Sequence, residues 1–353
     1  MELKVIKTQN KKSKPTGALG FGKYFTDHMF IMEYDNGEWK NARIQPYQPI
    51  SLEPSASVLH YAQGTFEGAK AYKDKNGKIR LFRLMDNLNR MCDSAERLCM
   101  PVFDKQFIYD AIKQLVLLEE DWIPTDDGTA LYIRPSMIAT EPALGVHAST
   151  SYIMFVIVGP VGSFYVNALK PVKLRVEEHY VRAAKGGTGG NKVIGNYAAS
   201  MKAGERAKAE GYDQAMWLDA KYHRYVEEVG AMNIFFVMDG VVYTPELGDS
   251  ILPGITRRSV IQLLKDRKIK VRECKVNINK VVECAENGTL SEVFGTGTAA
   301  VISPVGLFGY QGKDYVVNGG EMGKLSKMLY EELTGIQSGR KPDKYGWVDI
   351  IKE

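Results

Sequence analysis

Cysteine is scarce in this chain of 353 residues. Cys92, Cys99, Cys274 and Cys284 form no C-x-x-C pair and have no paired histidines, so no metal site is expected. They read as reduced thiols of a cytoplasmic protein. Long apolar runs are missing too: nothing approaches the roughly 18 apolar residues of a membrane span. There is no arginine-rich helix or basic tail, and the net charge of +4 is mild, so no nucleic acid and no membrane is expected as a partner. Lys4, Lys7, Lys11, Lys12 and Lys14 precede no apolar run, which reads as a flexible solvated arm rather than a signal peptide. The glycine-rich stretch before Lys192 lacks the Gly-Lys-Ser/Thr close of a Walker loop, which argues against an ATPase.

What is present is an ordinary globular composition, long enough for two domains. Residues 28–34 and 39–44 read as strands across Asp35-Asn36-Gly37, and 66–72 and 79–82 as strands across Asn76-Gly77. Two helices follow, the first capped by Asp86 and the second by Asp104, the second with apolar residues at helical spacing. Strands at 130–138 and 152–158 complete a small antiparallel α+β domain, residues 1–158. Gly, Pro and Asn at 159–170 mark an interdomain link. Residues 171–353 alternate strands and helices, as a second, α/β domain would.

The second half carries the most chemistry. Gly186, Gly187, Gly189 and Gly190 make a loop too flexible for helix or strand; Lys192 follows, and Tyr197 opens a helix that Gly211 ends. A lysine on such a loop beside a tyrosine has the setting of a Schiff-base lysine. Glu227 and Glu228 are adjacent on a strand and point to opposite faces, so one can be solvated while the other faces a site. Pro253-Gly254 opens a helix whose first amides can hold an anion. Arg90 is either a solvated helix residue or an anion clamp. Arg134 is more telling, because a charge inside an apolar strand faces solvent or binds an anion. Phe21, Tyr61, Tyr72 and Tyr132 either pack the core or line a pocket.

Gly295-Thr296-Gly297-Thr298-Ala299-Ala300 matches the G-x-G-x-x-A dinucleotide pattern after a strand. A nicotinamide-dependent dehydrogenase is therefore a second reading, although Pro304 would break the helix that pattern needs. A glycine-loop lysine, a tyrosine, a strand carboxylate and candidate anion sites are together what pyridoxal 5'-phosphate uses.

With FGKYFTDHM, HYAQGTFEGAKAY, LFRLMDNLNRM, LYIRPSMIATEPALGV, GGNKVIGNY, EEVGAMN, LPGITRRS and GTGTAA in that order, the chain resembles the branched-chain amino-acid aminotransferases from Phe21 to Trp347. These are pyridoxal-phosphate enzymes of fold type IV. The resemblance implies a D-amino-acid-aminotransferase-like fold, a small α+β domain plus a large α/β domain that binds the cofactor. It implies reversible transfer of the amino group of L-leucine, L-isoleucine or L-valine to 2-oxoglutarate by a ping-pong mechanism.

The resemblance also assigns roles. Lys192 would carry the cofactor and transfer the proton, Tyr197 would meet the phenolate oxygen and Glu228 the pyridine nitrogen. Arg90, Ile255, Thr256 and Thr298 would hold the phosphate, and Arg182 would support the cofactor loop. Phe21, Tyr61, Tyr132 and Ala299 would form the apolar slot. Thr298, Ala299 and Tyr61 would meet the substrate α-carboxylate, and Arg134 the side-chain carboxylate of glutamate. Leu144 and Val146 would reach into a partner subunit, which implies a homodimer. Ala231 stands where some relatives place threonine, so one cofactor hydrogen bond is expected to be absent. Ala300 and Ser303 stand where animal members carry C-x-x-C, so that redox switch is not expected. D-amino-acid aminotransferase and aminodeoxychorismate lyase, of the same fold, are the near alternatives, and a non-catalytic binding protein the remote one.

Overall fold

The computed structural model describes residues 1–162 and 170–353, which form two compact units. The first contains residues 1–162 with Lys192–Gly195 and Gly335–Glu353. Its sheet runs, from one edge, Lys4–Val5, Glu38–Pro46, His28–Asp35, Tyr152–Val161, Ala130–Ala139, Ala69–Lys73, Ile79–Phe82 and Val348–Lys352. Gly64–Phe66 also pairs with Ala130–Ala139. Every pairing but that of Lys4–Val5 is antiparallel. Asn36 (φ 53) and Gly37 (φ 84) are both left-handed, which matches the twist of the hairpin they close.

Helices Leu84–Arg97 and Lys105–Leu118 bury Leu84, Leu88, Met91, Ile108, Ile112 and Leu115 in one core with Ile44, Leu81, Leu131 and Val156. Those helical positions recur every three or four residues, so one stripe of each helix loses its water. Asp104 caps the second helix by accepting from the amides of Gln106 and Phe107. The first helix departs from expectation: it starts at Leu84 without a side-chain cap. Asp86 lies in its first turn and accepts from Arg83 Nε at 2.6 Å, where the helix dipole favours a negative charge.

The N-terminus is not a loose arm. Beyond the strand Lys4–Val5, the amide of Thr8 donates to Nε2 of His28 (2.8 Å), and the amide of Lys12 to Oδ1 of Asp27 (2.7 Å). Lys12 Nζ reaches the carbonyl of Thr26 at 2.7 Å. The acceptors are rigid: His28 is paired with Glu119, and Asp27 accepts from Trp122 Nε1, all in the interior. The bonds that hold the arm are mostly backbone donors, which residue type does not reveal.

Two boundaries also move. Gly159, Pro160 and Val161 continue the strand Tyr152–Val161 rather than a link, and 163–169 of the expected link lie outside the described residues. Val348–Lys352, expected in the second domain, pairs with Ile79–Phe82, and the ring of Trp347 meets that of Phe82 edge-on.

The second unit contains residues 170–191 and Asn196–Thr334. Its strand order is Val271–Cys274, Val241–Pro245, Asn233–Met238, Leu290–Gly297, Val301–Tyr310, Val172–Glu177, Gln214–Leu218, Tyr225–Val229 and Val276–Asn277. Val172–Glu177 is parallel to both its neighbours, and Val241–Pro245 to Val271–Cys274. Asp239 (φ 49) and Gly240 (φ 71) close the hairpin of Asn233–Met238 and Val241–Pro245.

The helix expected from Tyr197 to Gly211 starts earlier and is broken, as Ile194–Ala199 and Met201–Ala209. Ser200 Oγ donates back to the carbonyl of Tyr197 at 2.7 Å, a local bond that competes with helix continuation. The GTGTAA stretch opens no helix. Leu290–Gly297 turns straight back into Val301–Tyr310, with Gly297 opposite Val301 and Pro304 opposite Phe294. A dinucleotide site needs a helix N-terminus there, so that reading fails.

Candidate active site

The expected site residues divide between the two units. In the first, the backbone of Lys192 is fixed at both its polar atoms. Its carbonyl accepts from Thr65 Oγ1 (2.9 Å) and the amide of Phe66 (3.1 Å), and its amide donates to Ser94 Oγ (3.0 Å). Its ammonium lies 4.9 Å from the centroid of the Phe66 ring. The guanidinium of Arg134 lies 4.8 Å from the same ring and 5.4 Å from that of Tyr132, whose ring meets Phe21 edge-on at 4.9 Å. Phe66, which sequence reasoning did not single out, therefore gathers Lys192, Arg134, Tyr132 and Phe21 into one cluster. Tyr132 can lie there only because residue 68 is glycine: a Cβ would sit 2.0 Å from the tyrosine hydroxyl. Arg134 Nε is buried without a hydrogen-bond partner among the described residues, and a carboxylate would satisfy it.

Arg90 is not a solvated helix residue. Its Nε and Nη2 bond Oε1 and Oε2 of Glu67 at 2.7 and 2.9 Å, with both residues buried. Burial alone would push the Glu67 carboxyl up. The charge and hydrogen bonds of Arg90, then Lys192 and Asn87, outweigh it and hold the carboxyl below its usual range. Ser94, which anchors the Lys192 amide, also donates to the Arg90 carbonyl at 2.9 Å. Tyr61 is exposed and donates to the carbonyl of Leu144. Leu144 and Val146 are 63% and 85% exposed.

In the second unit Tyr197, Glu228 and Arg182 line one small pocket, with Asn191, Asn196, Ala231 and Leu252. Glu228 Oε1 accepts from the amide of Leu252 (2.7 Å), and Oε2 lies 3.2 Å from Arg182 Nε, which makes no hydrogen bond of good geometry among the described residues. Asn196 clamps the glycine loop, donating to the carbonyls of Thr188 (2.8 Å) and Asn191 (2.9 Å). Contrary to expectation, neither glutamate of the pair is solvated: Glu227 and Glu228 are 8% and 2% exposed. Burial pushes the Glu227 carboxyl up to about 7, and its bond from Ser250 and the charge of Arg182 offset this only in part.

Ile255 and Thr256 begin the helix Ile255–Asp266, both buried. The first intrahelical bond is donated by Arg258 to Gly254, so the amides before it point out of the helix start. Gly254 is required, since a Cβ would lie 2.0 Å from Asn233 Oδ1. Thr298 and Ala299 are half-buried at the tip of the GTGTAA hairpin, flanked by the buried hydroxyls of Thr296 and Ser303, neither of which has a hydrogen-bond partner among the described residues. Val301 closes that tip at φ 62, strained for a β-branched residue. Sequence reasoning missed Phe66, Glu67, Asn196 and Ser250. Phe66 and Glu67 lie inside the FEGAKAY motif, which pointed to the stretch but not to these side chains.

No helix among the described residues is long and apolar enough to cross a membrane. The amino-transferase class IV family model matches residues 64–308. The chain is 51% identical to branched-chain-amino-acid transaminase 1 of Bacillus subtilis (strain 168), over 97% of each chain. Its structure resembles the branched-chain amino acid aminotransferase of Escherichia coli with a TM-score of 0.75 and 28% identity, covering 93% of this chain and 99% of that one. It also resembles the T.th. branched-chain amino acid aminotransferase complexed with N-(5'-phosphopyridoxyl)-L-glutamate, with a TM-score of 0.73 and 29% identity over 91% of this chain and 98% of that one. The chain thus belongs to the class IV aminotransferases, and within them to the branched-chain-amino-acid aminotransferases of fold type IV.

Proposed function

We propose that this aminotransferase exchanges the amino group of L-leucine, L-isoleucine or L-valine with 2-oxoglutarate, using pyridoxal 5'-phosphate. The observation that carries the substrate reading is the Phe66 cluster, where Lys192 and Arg134 lie 4.9 and 4.8 Å from one aromatic ring. The same place then offers apolar walls, from Phe66, Phe21 and Tyr132, and a cation with an unmet donor. Branched side chains gain roughly 1–3 kcal/mol per packed methylene from such walls, whereas the γ-carboxylate of glutamate needs the guanidinium.

The residues fit the cofactor on their donor chemistry. Glu228 is a buried carboxylate aimed into the pocket of Tyr197 and Arg182, as a protonated ring nitrogen requires. The helix start at Ile255 and Thr256 and the hydroxyl of Thr298 suit a phosphate, and Arg90 supplies a further positive charge for it. When bound, pyridoxal phosphate supplies an electron sink for the substrate α-carbon. Lys192 Nζ takes and returns the proton at that carbon, and its pinned backbone limits where the amine can stand. Tyr197 would hold the phenolate side of the cofactor and Glu228 its ring nitrogen, and the amides of Thr298 and Ala299 and the hydroxyl of Tyr61 would be the groups that receive the α-carboxylate. Arg134 selects glutamate. The phosphopyridoxyl-glutamate bound by the T.th. relative supports this reading.

The exposure of Leu144 and Val146, and the bond from Tyr61 that holds their loop, support a homodimer in which that loop reaches the partner's site. The four free cysteines suit a cytoplasmic enzyme. A panel of L- and D-amino acids with 2-oxoglutarate, each keto-acid product followed separately, tests the function. Turnover of L-leucine, L-isoleucine and L-valine is expected, and turnover confined to D-amino acids would overturn it.

A further inference from the structure

Glu227 lies on the face of its strand opposite Glu228, away from the pocket, yet it is as thoroughly enclosed. Ser250 Oγ donates to its Oε1. The carbonyl of the same serine accepts from Arg182 Nη2, which also bonds the carbonyl of Gly189 at 3.0 Å. Arg182 Nε in turn stands 3.2 Å from Oε2 of Glu228. A continuous line of polar contacts thus runs from one glutamate round to the other.

The backbone around Ser250 leaves little slack. A Cβ on Gly189 would lie 2.7 Å from both Cα and O of Ser250, so the glycine loop and the 248–252 loop touch directly. Gly190 donates to the carbonyl of Asp249, and Gly186 to its carboxylate at 3.1 Å. Leu252, two residues beyond Ser250, supplies the amide bonded to Glu228 Oε1. Glu227 is the side chain under this junction. The charges around it are Arg182, Glu228 and Asp219, and the groove it lines also carries Lys185, Lys221 and Lys275.

We propose that Glu227 is a positioning residue: by holding Ser250 it sets the carbonyl that anchors Arg182, and through Arg182 it sets the carboxylate of Glu228. The inference rests on the Tyr197–Glu228 pocket being the cofactor site for its catalytic meaning, but the chain of contacts is testable without cofactor.

The test separates acceptor from charge. Glu227→Gln removes the charge and keeps an oxygen for Ser250, Glu227→Ala removes both, and Ser250→Ala removes the donor while leaving its carbonyl. In the apoprotein, carboxyl carbon NMR follows the titration of Glu228. Titration with pyridoxal 5'-phosphate, followed by tryptophan fluorescence, gives the dissociation constant. Glu227→Ala and Ser250→Ala are each expected to weaken cofactor binding about tenfold, the effect of one hydrogen bond in a charged network. The Ala/Ala double variant should be no worse than either single, because the two groups act as one unit. Glu228 should titrate higher in Glu227→Ala than in Glu227→Gln. If Glu228 titrates alike in those two variants and as in the wild type in Ser250→Ala, the proposal is wrong. A wild-type protein that fails to bind pyridoxal 5'-phosphate would instead overturn the cofactor reading, and the apoprotein titration would still decide this one.

Discussion

Lys192 and Arg134 stand against the same phenyl ring, their cationic ends 4.9 and 4.8 Å from the centroid of Phe66. One cation has its backbone held by Thr65, Phe66 and Ser94, and the other has a buried Nε with no hydrogen-bond partner among the described residues. A backbone-fixed amine and a guanidinium with one unsatisfied N–H, both against one apolar ring, suit a site that takes two dissimilar substrates, one apolar and one anionic.

Arg134→Gln tests that division of labour. The glutamate half-reaction is expected to slow about 10- to 100-fold, since one charged hydrogen bond contributes roughly 1.5–3 kcal/mol. The leucine half-reaction should change no more than about threefold. Single-turnover measurements on each amino acid decide it, and equal losses would refute the role.

Glu67 and Arg90 form a buried, doubly bonded ion pair whose carboxylate also feels the charge of Lys192. Glu67→Ala removes the carboxylate partner of a buried guanidinium and should cost about 3–5 kcal/mol in urea unfolding. The Glu67 carboxyl is held below its ordinary value of 4.5, so the pair's contribution is fully present above that pH. It is lost as pH falls through the lowered value, and Glu67→Gln should flatten that acid-side loss.

Much of the architecture was legible. Asn36-Gly37 and Asp239-Gly240 announce their hairpins because both residues take left-handed backbone angles, and Asp104 caps its helix as its position suggests. Lys192 was visible from the glycine loop before it. The ion pair of Arg90 was not, because its partner is a tertiary neighbour and an isolated arginine looks the same whether solvated or paired. The burial of both Glu227 and Glu228 was hidden likewise: strand alternation separates their faces but does not say that each face is covered. The GTGTAA glycines misled in part, since the same residues serve a strand-to-strand turn and a strand-to-helix turn, and only the following pairing tells them apart.

Glu227 carries its own pH signature. Its carboxyl is raised from 4.5 to about 7, so the folded state binds its proton more tightly than the unfolded chain. That stability is fully present below about 4.5 and is lost as pH rises towards about 7. Glu227→Gln stays neutral throughout and should be more stable than the wild type at alkaline pH. The two should converge in acid, as chemical denaturation across the pH range would show.

The N-terminal strand depends on His28, which accepts from the Thr8 amide and pairs with Glu119. In His28→Ala the amides of residues 4–12 should exchange with solvent at least about tenfold faster, while helix Lys105–Leu118 keeps its protection. Unchanged exchange in the arm would show that the strand pairing alone holds it.

The central claim is that Lys192 is the amine to which the cofactor attaches. Incubating the protein with pyridoxal 5'-phosphate, reducing with borohydride and mapping peptides by mass spectrometry tests it directly. The account predicts a phosphopyridoxyl mass on the peptide containing Lys192 and its loss, with the visible absorbance, in Lys192→Ala. The same mass on a different lysine, with Lys192 unmodified, would contradict it.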